Sequence, residues 1–272
     1  MSLENFKFSI NHGSYSMLSM FGSKILKSKN RNVILDIDFL RPYCIVYFDQ
    51  IIYSNYKNRK RIIEFHNSEV NQYIKQSGFK YLNKDSDCKN KFADEIMVKL
   101  KRFKGKTADI ESDFVSWLEK NVKNYLPENN GKLWKKIVQN IWEVVCNGII
   151  HSESKFGISA CGQLYPNAGY FELAFYDSGI GINNKIKGFK KLYERKTDLQ
   201  CIEWALKKGN TTQKLIKSSG MGLYYLRKFV KLNLGEFQII SGKGFYQETA
   251  RDSTLIRNSL SGTLVNIRIK FK

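Results

Sequence analysis

The chain has little of what interrupts or cross-links a protein. Three prolines among 272 residues, and no Ser/Gly-rich tract, leave no composition for long disordered segments. The five cysteines, Cys44, Cys88, Cys146, Cys161 and Cys201, show no CxxC spacing, and three sit among apolar neighbours. That pattern predicts buried thiols, with neither a disulfide framework nor a structural zinc site. No apolar run approaches the roughly 20 residues needed to span a bilayer. The opening MSLENFKFSINHG has neither the basic region nor the apolar stretch of a signal peptide. The expectation is a cytoplasmic chain without membrane contact, folded nearly throughout. With 42% hydrophobic and 14% aromatic residues it can bury the cores of two ordinary domains.

Acidic residues are also scarce, 25 against 45 Lys and Arg, which gives a net charge of +20. Clustered cations attract polyanions, so nucleic acid is one candidate partner. A solvated lysine surface is the competing reading. The excess is spread evenly, with 20 basic and 10 acidic residues in 1–108 and 25 and 15 in 109–272, which favours the second reading slightly. The densest runs are KNRKR (57–61) and KLKRFKGK (99–106).

Residues 33–83 alternate short apolar runs with helical ones. NVILDIDFL reads as a strand, YCIVYFDQIIYSN as a helix, RIIEFH as a strand, and NSEVNQYIKQSGFKYL as a helix stopping at Gly78. This order resembles a STAS domain, the small α/β module of anti-sigma-factor antagonists, with LDIDFLRPYCIV where such domains have a strand, a turn and a helix start. The turn that presents a phosphorylatable Ser or Thr in that family reads Leu40, Arg41, Pro42, Tyr43 here, so the acceptor role does not carry over. An unrelated α/β packing module is the alternative. The polar, lysine-rich stretch 84–108 marks a boundary, giving domains at 1–107 and 108–272.

Two helical patterns follow, DIESDFVSWLEKNVKNYL and KLWKKIVQNIWEVVCNGIIHS. On a wheel the second gathers Lys136, Asn140, Glu143, Asn147, His151 and Ser154 within about an 80° arc, opposite Ile137, Ile141, Val144, Val145 and Ile149. An amphipathic surface helix would show a similar division, but with long charged side chains along its polar arc. Here a carboxylate, an amide and an imidazole stack at i, i+4 and i+8 under heavy aliphatic flanking. Unpaired buried polar groups cost about 1–3 kcal/mol each, so such a stripe needs partners, and a ligand can supply them.

KFGISACGQLY and YFELAFY then read as a strand pair with a turn at Pro166–Gly169, and the second strand delivers FYDSGIGI. Asp177 emerges at its end, and Gly179 and Gly181 let the backbone lie close to whatever the carboxylate binds. A carboxylate accepts hydrogen bonds only, which suits an exocyclic amine such as adenine's; an Asp-capped tight turn is the plain alternative. Further on, SGMGLYYLRKF sets Gly220 and Gly222 just ahead of an amphipathic helix, a natural anion site. The segment 183–219 between them is polar, basic and helix-interrupted, as a lid over phosphates would be. SGTLVNIRIKF is an alternating strand carrying Gly262 and Thr263.

Taken in order, these elements resemble the GHKL ATPases, the superfamily of gyrase, heat-shock chaperones, histidine kinases and MutL-type proteins, over about residues 108–272. EVVCNGIIH matches the N-box, DSGIGI the first glycine box, SSGMGL the second, and Gly262–Thr263 the closing strand motif. NGIIHS and GNTTQKLIKSSGMGL look most like the anti-sigma-factor serine kinases. The resemblance implies a GHKL-type α/β sandwich, a largely antiparallel sheet with helices on one face, binding ATP and Mg²⁺. By it, Asp177 holds the adenine amine with Thr263 supporting through water, and Asn147 ligates Mg²⁺. Glu143 is the base that activates water or a hydroxyl. Gly179, Gly181 and Ile182 line the first glycine box, and Gly220, Met221, Gly222 and Leu223 embrace the phosphates. Thr211 or Thr212 and nearby lysines reach the phosphates from the lid, while His151 is either a phosphate contact or a satisfied structural histidine. Three functions stay open at this point: a Ser/Thr protein kinase, a slow ATPase that drives a conformational switch, and a module that only binds nucleotide. The expected partner is a protein met through the STAS-like region, with nucleic acid and a second copy of the chain as further candidates.

Overall fold

The computed structural model describes residues 6–7, 12–28, 32–55, 62–82, 97–125, 131–212, 221–248 and 253–270. Among these, the elements before residue 83 are β1 (Phe6–Lys7), α1 (His12–Lys27), β2 (Asn32–Leu35), β3 (Ile37–Phe39), α2 (Pro42–Asn55), β4 (Ile62–Phe65) and α3 (Ser68–Gln76). Then come β5 (Met97–Phe103), α4 (Thr107–Val122), α5 (Gly131–Ile150), β6 (Ile158–Tyr165) and β7 (Tyr170–Asp177). The last group is α6 (Gly181–Phe189), α7 (Asp198–Ala205), α8 (Gly222–Leu232), β8 (Glu236–Gln247) and β9 (Thr254–Lys270). The fold is mixed α/β around an antiparallel five-stranded sheet of order β5-β6-β7-β9-β8.

Two stretches differ from the sequence expectations. NVILDIDFL is two short strands, because β2 pairs in parallel with β4 while β3 pairs in parallel with β1, so the chain changes partner at Asp36. Part of the polar run 84–108 is the edge strand β5, antiparallel to β6 with a register shift between Val98 and Lys101. Val98 and Phe103 are buried, while Lys101 pairs with Asp113 and Arg102 with Asp49. Two cations of the basic run 99–106 are therefore engaged within the fold; the run 57–61 lies outside the described residues.

The central strand β7 explains how the layers stack. Successive side chains alternate across a strand, and here both faces are buried, with Glu172 held by Arg41 and Arg268 on one of them. Phe171, Leu173 and Phe175 pack with Phe114 and Trp117 of α4, Ile141 and Val145 of α5, and Leu226 of α8. Ala174 and Tyr176 join a second core with Leu18 and Phe21 of α1 and Tyr43, Tyr47 and Phe48 of α2. Thus helices after residue 107 cover one face, and α1 and α2 close the other. Helix α2 lies deep in this second layer, with every residue from Pro42 to Ile52 buried. A helix apolar nearly all round requires such burial. Cys44 and Cys161 are buried thiols, Cys146 and Cys201 are free as well, and Cys88 lies outside the described residues.

Candidate functional site

The site forms where four segments meet at one end of the sheet. Helix α5 buries Ile137, Ile141, Val144 and Val145 against the sheet, which turns its polar stripe toward the neighbouring elements. The approach is close: a Cβ on Gly148 would overlap the Ile158 side chain of β6. The end of α5 is tied to the turn after β7 by the Ile180 amide, which donates to the Ser152 carbonyl at 2.8 Å. Gly179 packs so closely on that carbonyl that any side chain there would overlap it.

These contacts surround a cavity of about 560 Å³, within the range of small-molecule sites. It is lined by Glu143, Asn147 and His151 of the α5 stripe, by Asp177, Gly181 and Ile182, by Thr211 and Thr212, by Met221, Gly222 and Leu223, and by Thr263. Of the sequence-derived candidates, Gly179 stands behind this lining and shapes the turn, and Gly220 lies outside the described residues. Between the polar groups the wall is apolar, with Ile158, Phe175, Ile186 and Val265.

Asp177 is 3% exposed. Burial pushes its carboxyl up to about 7, against the opposing effect of hydrogen bonds from the Gly179 and Thr263 amides. The Gly179 amide donates to Oδ1 at 3.0 Å. Glu143 is half-buried and its carboxyl is also raised by burial, which moves it toward the range where a general base works near neutral pH. It has no hydrogen-bond partner among the described residues. A Cβ on Gly222 would overlap the Glu143 carboxyl group, so only glycine lets that carboxyl sit against the first turn of α8. Met221 supplies no side-chain cap there, which leaves the α8 N-terminus a candidate anion contact. His151 is lowered by burial and by Lys185, so the ring is neutral at pH 7, and Nδ1 lies 3.4 Å from Thr212 Oγ1.

The segment 183–219 is built into the fold over its described part. Ile186 of α6 packs with Cys201 and Trp204 of α7, and Thr197 and Gln200 form a capping box at the start of α7. Lys185 lines the cavity while its ammonium pairs with Glu153.

Sequence reasoning missed Ser241 of β8. Its buried hydroxyl donates to the Gly262 carbonyl at 3.0 Å, accepts from the Ile182 amide at 2.8 Å, and stands 3.4 Å from Thr263 Oγ1. One side chain therefore joins the glycine turn to the closing strand. A serine in IISGKG carries no pattern that would single it out.

Among the described residues no group of three His, Cys, Asp or Glu comes together as a metal site. The oxygen donors of the α5 stripe at this cavity are the Glu143 carboxylate and the Asn147 amide, hard ligands of the kind Mg²⁺ takes beside phosphates and water. Among the described residues no helix is long and apolar enough to cross a membrane. No family model matches the chain, and no curated protein matches it.

Proposed function

We propose that the cavity binds ATP with Mg²⁺, and that the protein is an ATP-dependent regulatory protein whose Glu143 acts as general base toward the terminal phosphate. The observation that carries this reading is the buried Asp177 carboxyl at the wall of an apolar cleft, with Glu143 and Asn147 one helical turn apart on its polar side. Ionised, Asp177 accepts from an exocyclic amine. The aliphatic wall takes a flat ring, and the α8 N-terminus with its glycine takes phosphate oxygens. Mg²⁺ neutralises phosphate charge, and Asn147 offers it an oxygen. Glu143 removes a proton from a water or hydroxyl positioned beside it. The GHKL resemblance points the same way. Under the same reading the N-terminal region meets a protein partner.

The test is incubation of the purified chain with γ-labelled ATP, alone and with cell extract. Label released as phosphate identifies hydrolysis, and label retained on protein identifies transfer to a hydroxyl. ATP bound with no label moved leaves a nucleotide-binding module, and absence of ATP binding in calorimetry sinks the proposal.

A further inference from the structure

Asp177, Ser178 and Gly179 make the turn at the end of β7, and their side chains divide. Asp177 faces the cavity, whereas Ser178 faces the opposite layer, where its hydroxyl donates to Gln50 Oε1 of α2 at 3.1 Å. Gln50 is fully buried. Its amide nitrogen donates to Ser159 Oγ at 3.0 Å and reaches the Gly157 carbonyl at 3.5 Å. Ser159 in turn donates to Asp49 Oδ2 at 2.6 Å, and Asp49 holds Arg102 of β5 at 2.7 and 2.8 Å.

This chain of bonds fixes the Gln50 amide in one orientation. Turned over, its oxygen would face the Gly157 carbonyl and a Ser159 hydroxyl whose single proton is committed to Asp49. Only the observed orientation leaves Oε1 as acceptor for Ser178. The strand register continues the connection, since Ser159 pairs with Tyr176 and Ile158 with Asp177. Tyr176 also packs against Tyr47, one turn before Gln50 on α2, with ring centroids 5.1 Å apart.

We propose that Gln50 is a positioning residue for the amine-recognising end of the cleft, acting through Ser178 on the turn that carries Asp177. This rests on reading the cleft as an adenine-nucleotide site. Its consequence is that the N-terminal layer and the nucleotide bias one another, because coupling between sites is reciprocal. A ligand or partner that shifts α2 alters amine recognition, and bound nucleotide holds α2.

The experiment compares ATP with purine riboside triphosphate, which lacks the 6-amine, on the full chain by calorimetry. The variants are Gln50→Leu, Ser178→Ala and the pair together. Wild type is expected to prefer ATP at least tenfold. Each single variant loses about three- to tenfold in ATP affinity with the amine-free analogue unchanged, and the double variant loses no more than either single. A merely structural role for Gln50 would weaken both ligands together. If Gln50→Leu fails to fold, Ser178→Ala decides alone, since it removes the same bond from a half-buried turn residue. A folded Ser178→Ala that keeps the wild-type preference overturns the relay and leaves the nucleotide reading standing. A wild type that binds neither ligand, or both equally, overturns the adenine reading and the relay with it.

Discussion

Helices α2 and α5 pack on opposite faces of one sheet, and each brings polar side chains into a mostly apolar layer. On α2 the protein itself answers them: Asp49 meets Arg102 and Ser159, and Gln50 meets Ser159 and Ser178. On α5 the side chains of Glu143 and Asn147 face a cavity and have no hydrogen-bond partner among the described residues. Burying polar groups costs free energy unless they are paired. Asp49 on α2 therefore reads as structure, Gln50 as a brace for the turn that carries Asp177, and the α5 groups as a site held open for something else. The comparison predicts that loss of Asp49 on α2 is felt first in folding and changes on α5 first in chemistry.

The largest effect belongs to Glu143. General-base help is worth about 10²–10⁴-fold in rate, so Glu143→Gln should lower phosphate release or transfer by that much while ATP affinity holds or rises. Chemical denaturation should show stability unchanged or slightly improved, because a carboxyl raised by burial has been removed. Full turnover in this variant would make Glu143 a surface carboxylate and cancel the contrast. Asn147→Ala should abolish magnesium-dependent binding, and EDTA should mimic it on the wild type. Insensitivity of wild-type binding to EDTA would end the magnesium assignment.

The α2 side gives the opposite signature. Asp49 is nearly fully buried, and removing it takes the carboxylate partner from the Ser159 hydroxyl and from Arg102, which keeps its stacking on Tyr53. Breaking one side of a buried pair costs about 3–5 kcal/mol; Arg102 retains some exposure, so about 3 kcal/mol is expected for Asp49→Ala in urea unfolding. A loss below about 1 kcal/mol would remove the distinction between the two helices. Between these extremes stands Gly222→Ala. The added methyl meets the movable end of Glu143, so the melting temperature should hardly change while turnover drops, by about 10²-fold if the carboxyl is displaced by an ångström.

The sequence showed most of the cleft side because its signals are local. The polar stripe of α5 repeats every turn, and the run YFELAFY, apolar but for Glu172, marks a strand buried on both faces. Helix α2 and the Gly78 stop, where φ is +82°, were legible for the same reason. Strand β5 was not, because Lys99, Lys101 and Arg102 make KLKRF read as solvated surface and a register shift breaks its alternation. Nor was α1, whose serines and glycines hide a helix stabilised by tertiary burial of Tyr15, Leu18, Phe21 and Ile25. Ser241 and the Gln50–Ser178 bond were invisible in principle, since each depends on residues far apart in the chain, from 21 to 59 positions for Ser241 and 128 for Gln50 and Ser178. The two-layer packing was missed likewise: it follows from contacts between halves that the pattern of either half does not record.

The effect that tests the cleft most directly is the pH response of Asp177. In the unfolded chain this carboxyl titrates near 4, and in the fold burial moves it to about 7. Between those values the folded protein keeps a proton that the unfolded chain releases, so stability falls as pH rises through this window and levels off above about 7. Three units set a ceiling of about 4 kcal/mol, since each unit is worth about 1.4 kcal/mol. Amine recognition runs the other way: the ionised carboxyl accepts from an adenine amine more strongly than the protonated one, so ATP affinity should rise between pH 6 and 8 while the apo protein becomes less stable. Asp177→Asn separates the two trends. Its amide oxygen can still accept from the Gly179 amide, so the variant should melt higher than wild type at pH 8 and lose the advantage near pH 5. It should bind ATP at least tenfold more weakly, because an amide nitrogen replaces one acceptor oxygen. Parallel melting curves for the two proteins across pH 5–8 would mean the carboxyl is solvated, and equal ATP affinity would mean it reads no amine.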